Sequence, residues 1–287
     1  MWIFYSALYG FFNGFYAVFR KKSAEKTNVL FVLALMSTVG FLLSSWYVVF
    51  GVSISTESFL FLLLKSAIVC TAWVLELYAL KDYFISVLQP LSAVRVVLAF
   101  LLAIIVFSEQ VFWWQFIGVI VIFIGILLLR TNTKNEQTNI SNSIQKRCII
   151  LYLIACICQE CSSLIDKFTL QTISSYQMQF WFMLFVAIFL WICFFIVSIK
   201  HKKLQANKSD LKNIFIYLAA IMLFVGDQFL FRALNDPASK LSVASMLKQI
   251  SIIVSVVVGG LVFKEPNLKK KLIFLAMILL GIIIVLI

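Results

Sequence analysis

Residues 262–281 read VFKEPNLKKKLIFLAMILLG, and residues 106–125 read VFSEQVFWWQFIGVIVIFIG. Adding 156 to Val106, Phe107, Glu109 and Gly125 gives Val262, Phe263, Glu265 and Gly281, four identities with no gap between them. In each copy an apolar run ends at Phe-x-Glu, a short polar link follows, and a second apolar run carries a Gly deep inside it. The pattern reads as helix, turn and helix in lipid, present twice, and so marks the chain as an internal duplication.

Composition agrees with that setting. The 287 residues are 63% hydrophobic with only three Pro, and the mean hydropathy is +1.05, well above an ordinary soluble domain. A helix needs about 20 mostly apolar residues to cross the hydrocarbon, and it satisfies its own backbone polar groups there. Ten such segments are predicted, near 2–19, 29–50, 59–80, 83–107, 112–129, 148–168, 176–198, 213–234, 239–263 and 270–287. The first has no charged leader or small-residue cleavage pattern and reads as a retained helix. The polar stretch 131–147 reads as a linker loop between a first repeat, 1–130, and a second, 148–287.

The net charge of +12 does not point to nucleic acid, because its distribution follows the membrane. Eighteen of the 24 Lys and Arg fall near loops on one side, and only Lys167, Arg232 and Lys240 on the other. The positive-inside rule then places the basic loops in the cytoplasm and both termini outside it, in the plasma (inner) membrane. Five spans per half is an odd number, so the second half must enter inverted. The two signature links agree: Trp113 and Trp114 occupy one, Lys269 to Lys271 the other. The expected fold is therefore an all-α membrane protein with ten transmembrane helices as two inverted five-helix repeats, a plan that builds alternating-access carriers around a midplane site.

The residues that carry a likeness to a known family are Tyr78-Ala-Leu and Arg232-Ala-Leu, Phe107-Ser-Glu and Phe263-Lys-Glu, Gly125 and Gly281, with Lys21 and Lys167 after spans one and six. On these the chain resembles the EamA type of the drug/metabolite transporter superfamily over nearly its whole length. The resemblance implies ten helices, a central cavity lined by spans one, three, four, six, eight and nine, and carriage of a small metabolite. It does not name a substrate. It would also place both termini in the cytoplasm, which the charge count here reverses.

Charged residues inside spans are costly and mark candidate sites. Span three carries Glu76 beside Trp73 and Tyr78, span four carries Arg95 after Gln89 and Pro90, span eight Asp227, and span nine Lys248. Aligning the Ala-Leu triplets by adding 154 sets Trp73 on Asp227 and Glu76 on Leu230, while adding 156 sets Ser92 on Lys248 and Arg95 on Ser251. The offset of three keeps each acid and each base on one helix face. Structural ion pairs are the plain alternative to a binding role. Lys65 reads as a snorkelling side chain, and Asp166 as a local partner of Lys167.

Aligning Lys21 with Lys167 by adding 146 pairs Gln159 with Asn13 and Glu160 with Gly14. Asn13 beside Gly14 fits close helix packing as well as substrate contact. Glu160 has no acidic counterpart. Counting Glu76, Glu160 and Asp227 against Arg95 and Lys248 leaves one carboxylate over, and a spare buried carboxylate tends to take a proton or a cation. Glu160 is thus the expected proton-coupling residue, or a holder of a substrate amine. Asn13, Trp73, Glu76, Tyr78, Arg95, Gln159, Asp227 and Lys248 are the expected substrate-binding set, with Trp73, Tyr78 and Phe229 able to face an organic cation.

The six Cys lie in or at the edge of spans and read as small apolar residues without disulfides. Cys158 and Cys161 share a helix face that Cys156 only partly joins, so no metal site is read there. A single His, His201, in a basic loop leaves no constellation for catalysis, so no enzyme and no cofactor is expected. The reading is a secondary transporter of a small polar metabolite, cationic or zwitterionic amines favoured, exchanged against protons. An anionic or sugar-linked substrate held by Arg95 and Lys248, and a non-transporting membrane scaffold or regulatory subunit with static ion pairs, are the alternatives.

Overall fold

The computed structural model describes residues 1–25, 27–92, 94–108, 112–134, 141–200, 208–265 and 268–286. Among them the regular structure is all helical. In order the helices are α1 (Trp2–Ala24), α2 (Val29–Ser44), α3 (Thr56–Asp82), α4 (Ile85–Leu91), α5 (Val94–Phe107) and α6 (Trp113–Lys134). Then follow α7 (Asn142–Thr169), α8 (Ser175–Lys200), α9 (Ile214–Leu234), α10 (Leu241–Leu247), α11 (Ile250–Val262) and α12 (Leu268–Leu286). Each of the ten ranges expected from the sequence holds a helix or a helix pair. Seven spans among the described residues are long and apolar enough to cross a membrane: α2, α3, α4–α5, α7, α8, α9 and α10–α11. α1 falls short because Tyr, Trp and Asn13 dilute its apolar residues.

Local sequence sets the helix starts. Asn28 accepts from the N–H groups of Leu30 and Phe31 at the head of α2, Ser55 from Ser58 in α3, and Asn213 from Phe215 in α9. These caps satisfy donors that helix geometry leaves without partners.

Two expectations are corrected here. Residues 131–147 are not one loop: α6 runs on to Lys134 and α7 already begins at Asn142, where Ser141 caps it by accepting from Ser143 N–H. Residues 135–140, like Lys26, Glu109 and His201, lie outside the described residues. The stretch Lys269–Lys271 falls in the first turn of α12, not in a turn between helices.

Spans four and nine are each broken in the middle. The first breaks after Leu91, the second at Lys248 and Gln249. Pro90 sits before the first break, but Met246 stands at the corresponding place in α10, so proline is not the shared cause. In both, i to i+3 hydrogen bonds carry the chain past the break: Ser92 N–H to Gln89 and Arg95 N–H to Ser92, then Gln249 N–H to Met246 and Ser251 N–H to Lys248. The breaks touch, since Ser92 Oγ donates to Gln249 Oε1 at 3.3 Å.

Packing follows a reciprocal scheme. α1 packs on α9 as α3 packs on α7, α4 meets α11 as α5 meets α10, and α6 packs on α12. The motif glycines show it at close range. A Cβ on Gly281 would lie 2.6 Å from Ile122 and 2.8 Å from the Gly118 carbonyl, and one on Gly125 3.0 Å from Ile278; Ile122 and Ile278 are themselves 156 apart. Gly14 lets α1 approach α11, where a Cβ would fall 2.4 Å from that of Val254.

Candidate functional site

A polar cavity of about 80 Å³ lies where the broken helices cross. α1 supplies Tyr9, Asn13, Tyr16 and Arg20; α3 supplies Lys65, Trp73 and Glu76; α4 and α5 supply Gln89 and Arg95. From the other half come Gln159, Glu160, Ser163 and Asp166 of α7, Asp227 and Phe231 of α9, and Ser245, Lys248 and Gln249 around the second break. Spans one, three, four, six, eight and nine thus line it, with Phe182 of α8 added.

Of the nine residues read from the sequence, Asn13, Trp73, Glu76, Arg95, Gln159, Glu160, Asp227 and Lys248 line this cavity. Tyr78 does not. It lies two positions beyond Glu76, more than half a turn round α3, is 37% exposed, and lines a separate hollow with Asp82, Ser141 and Arg147. Phe229 is also placed elsewhere, stacked on Tyr5 and Phe12 between α1 and α9.

Toward the ends of α1 and α3 that carry Lys22 and Lys81, a relay of polar side chains crosses the cavity. Arg20 pairs with Glu76 at 2.7 Å and donates to Tyr16 Oη at 3.0 Å. Glu76 accepts from Gln159 Nε2 at 2.7 Å, and Gln159 Oε1 accepts from Arg95. Glu76 therefore does not pair directly with Arg95; Gln159 stands between them.

Three full turns away along α3, about 16 Å, Lys65 pairs with Asp166 at 2.5 Å. Its ammonium also sits 3.9 Å from the Phe182 ring centre and 4.5 Å from that of Phe231. Lys65 is only 2% exposed, so it is a buried pair member and not a snorkelling side chain. Asp166 faces it across the α3–α7 contact, while neighbouring Lys167 donates to the Ser239 carbonyl at 2.8 Å.

Between the two ion pairs, Lys248 Nζ donates to Ser163 Oγ at 3.2 Å and Ser245 Oγ donates to Glu160 Oε1 at 3.1 Å. Asp227 is 7% exposed, and its Oδ2 has no hydrogen-bond partner among the described residues. The charge surplus expected from the sequence is not present. The cavity holds four acids, Glu76, Glu160, Asp166 and Asp227, and four bases, Arg20, Lys65, Arg95 and Lys248. Sequence reading missed Arg20 by assigning it to a loop, although Tyr9, Asn13, Tyr16 and Arg20 are spaced as one helix face.

The repeated signature has a geometric meaning. Ser108 and Lys264, the middle residues of the two Phe-x-Glu motifs, hold φ of 50° and 51°, the left-handed turn that ends a helix. At the second copy this aims Glu265 across the molecule, where its Oε1 accepts from Ile85 N–H at the start of α4, at 3.0 Å. Lys21 donates to the Tyr83 carbonyl at 2.7 Å, as Lys167 does to Ser239. Adding 146 takes Lys21 to Lys167, and adding 156 takes Tyr83 to Ser239, so the two contacts occupy equivalent places in the two copies.

Described residues that are all helical, with broken spans meeting at a cavity lined by buried charges, have the build of a multi-pass membrane transporter. The EamA-like transporter family matches in two stretches, residues 1–131 and 146–287, and the chain belongs to that family. A solved structure titled "Crystal structure of protein" is similar in fold, with TM-score 0.71 and 12% identity over 97% of this chain and 95% of that one. No curated protein sequence matches the chain.

Proposed function

We propose that this chain is a secondary transporter carrying a small polar metabolite by alternating access, built as two inverted five-helix repeats, 1–130 and 148–287, with ten crossings. The reciprocal packing, the offset-related contacts and the division of the family match into two stretches support the repeats. The basic loops support termini outside the cytoplasm in a plasma membrane.

The observation that carries the reading is the cavity itself, lined by buried charged side chains, with equivalent lysine-to-carbonyl contacts at two turns, Lys21 to Tyr83 and Lys167 to Ser239. A static scaffold has no need of such a hollow, since buried charges around open space are costly. The unpartnered Asp227 Oδ2 favours a substrate that brings a donor, as an ammonium group does. In this reading Asp227 receives that group, Lys248 and Arg95 meet any negative part, and Asn13, Trp73 and Gln159 shape the space. Glu160, beside Ser245 and without an acidic equivalent in the first half, carries the coupling proton.

The test is thermal stabilisation of the purified chain by amines, amino acids, sugars and nucleotide sugars, since a ligand that binds the native state raises its stability by mass action. Stabilisation by an amine that Asp227→Asn abolishes and Glu160→Gln makes insensitive to pH is the expected result. Stabilisation by anions alone, lost in Lys248→Gln, would move recognition to the bases.

A further inference from the structure

The turns at Tyr83 and Ser239 carry matching lysine contacts, but among the described ion pairs only Arg20–Glu76 joins separately packed helix groups. α3 packs broadly on α7, and α1 on α9, whereas α1 and α3 meet much less. Lys65 with Asp166 lies inside the α3–α7 packing. Arg20 with Glu76 instead joins α1 to α3, across the divide. The positions equivalent to Arg20 and Glu76 at the opposite end are Asp166, 146 further on, and Leu230, 154 further on, so no such ion pair forms there between α7 and α9. Arg20 is 1% exposed and Glu76 8%, so water screens the attraction less than at the surface.

We infer that the Arg20–Glu76 pair is a one-sided latch: it holds the cavity shut toward the Lys- and Arg-rich face, and Gln159 ties the latch to the cavity interior. This rests on the alternating-access reading above. Gln159 spends its amide on Glu76 and its carbonyl on Arg95, so a molecule that engages Gln159 or Arg95 competes for the contacts that hold Glu76 in place. With the latch broken, the groups separate at the Tyr83 turn, and the chain shifts toward the state open to the basic face and closed at the Ser239 turn.

Hydrogen–deuterium exchange of the full chain in detergent micelles tests this without a known substrate. The readouts are the peptides covering the α3–α4 turn around Tyr83 and the α9–α10 turn around Ser239. In Arg20→Gln, exchange around Tyr83 is expected to rise about tenfold while exchange around Ser239 falls. A tenfold shift corresponds to about 1.4 kcal/mol, less than the loss of one partner from a buried pair typically costs. The charge-swapped Arg20→Glu/Glu76→Arg chain should return both peptides toward the parent values, which shows that the effect runs through the pair. Lys167→Gln, which cuts the matching contact at the other end, should give the opposite pattern. Faster exchange at both turns in Arg20→Gln, or no change at either while Lys167→Gln shifts them in opposite directions, would overturn the latch and leave alternating access standing. Independent loosening at each turn in both variants would overturn the alternating-access reading as well.

Discussion

Ser108 and Lys264 stand 156 positions apart and share a left-handed backbone, φ 50° and 51°, although neither is glycine. An L-residue there costs about 1 to 3 kcal/mol; at Lys264 the turn that follows directs Glu265 to the head of α4. Lys264→Gly should therefore leave the melting temperature in detergent unchanged or raise it, while Lys264→Val should lower it, since a β-branched side chain suits that region worst. Scanning fluorimetry decides, and earlier melting of the Gly variant would remove the strain argument.

Glu265 reaches Ile85 from the far half of the sequence, so its loss should be felt at α4. Glu265→Ala leaves the buried Ile85 N–H without this acceptor and should cost about 1 to 3 kcal/mol, with faster amide exchange at the start of α4. Glu265→Gln keeps an acceptor oxygen and should lose less. Equal losses in the two variants would count against the cap.

Arg20 and Glu76 should behave as one unit. Each single neutral variant, Arg20→Gln or Glu76→Gln, leaves a buried charge behind and should destabilise by about 3 to 5 kcal/mol. The double variant should lose much less than the sum. Additive losses in a double-mutant cycle of chemical denaturation would show that the pair is not coupled.

The motif glycines permit α6 and α12 to touch. Gly281→Ala would press a Cβ to 2.8 Å from the Gly118 carbonyl, a backbone atom that cannot swing away, whereas Gly125→Ala meets the side-chain Cγ1 of Ile278 first, at 3.0 Å. Overpacking of this kind costs about 1 to 3 kcal/mol, so Gly281→Ala should melt lower than Gly125→Ala. The reverse order would contradict the described contact.

The helical fold was legible because long apolar runs and a fixed internal offset are properties of the linear chain. The contents of the cavity were legible in part, since a charge inside an apolar run stands out, as Glu76, Arg95, Asp227 and Lys248 did. Partners were not, because they depend on helix phase and on contacts between distant segments. Asp166 was assigned to Lys167, yet adjacent residues on a helix do not face each other, and its partner Lys65 lies about a hundred positions away. Arg20 escaped because hydropathy falls at Arg20 itself, the first of Arg20, Lys21 and Lys22, while α1 continues to Ala24. The role of Phe-x-Glu was hidden for the same reason: a glutamate that caps another half's helix leaves no mark in its own neighbourhood.

The most direct test of alternating access measures both ends of the reconstituted chain by electron–electron resonance distances. One spin-label pair would sit at positions 22 and 82, on the ends of α1 and α3, and another at 171 and 235, after α7 and α9. Two distance populations at each end are expected, with conditions that lengthen one pair shortening the other. A single fixed distance at both ends, or both widening together, would contradict it.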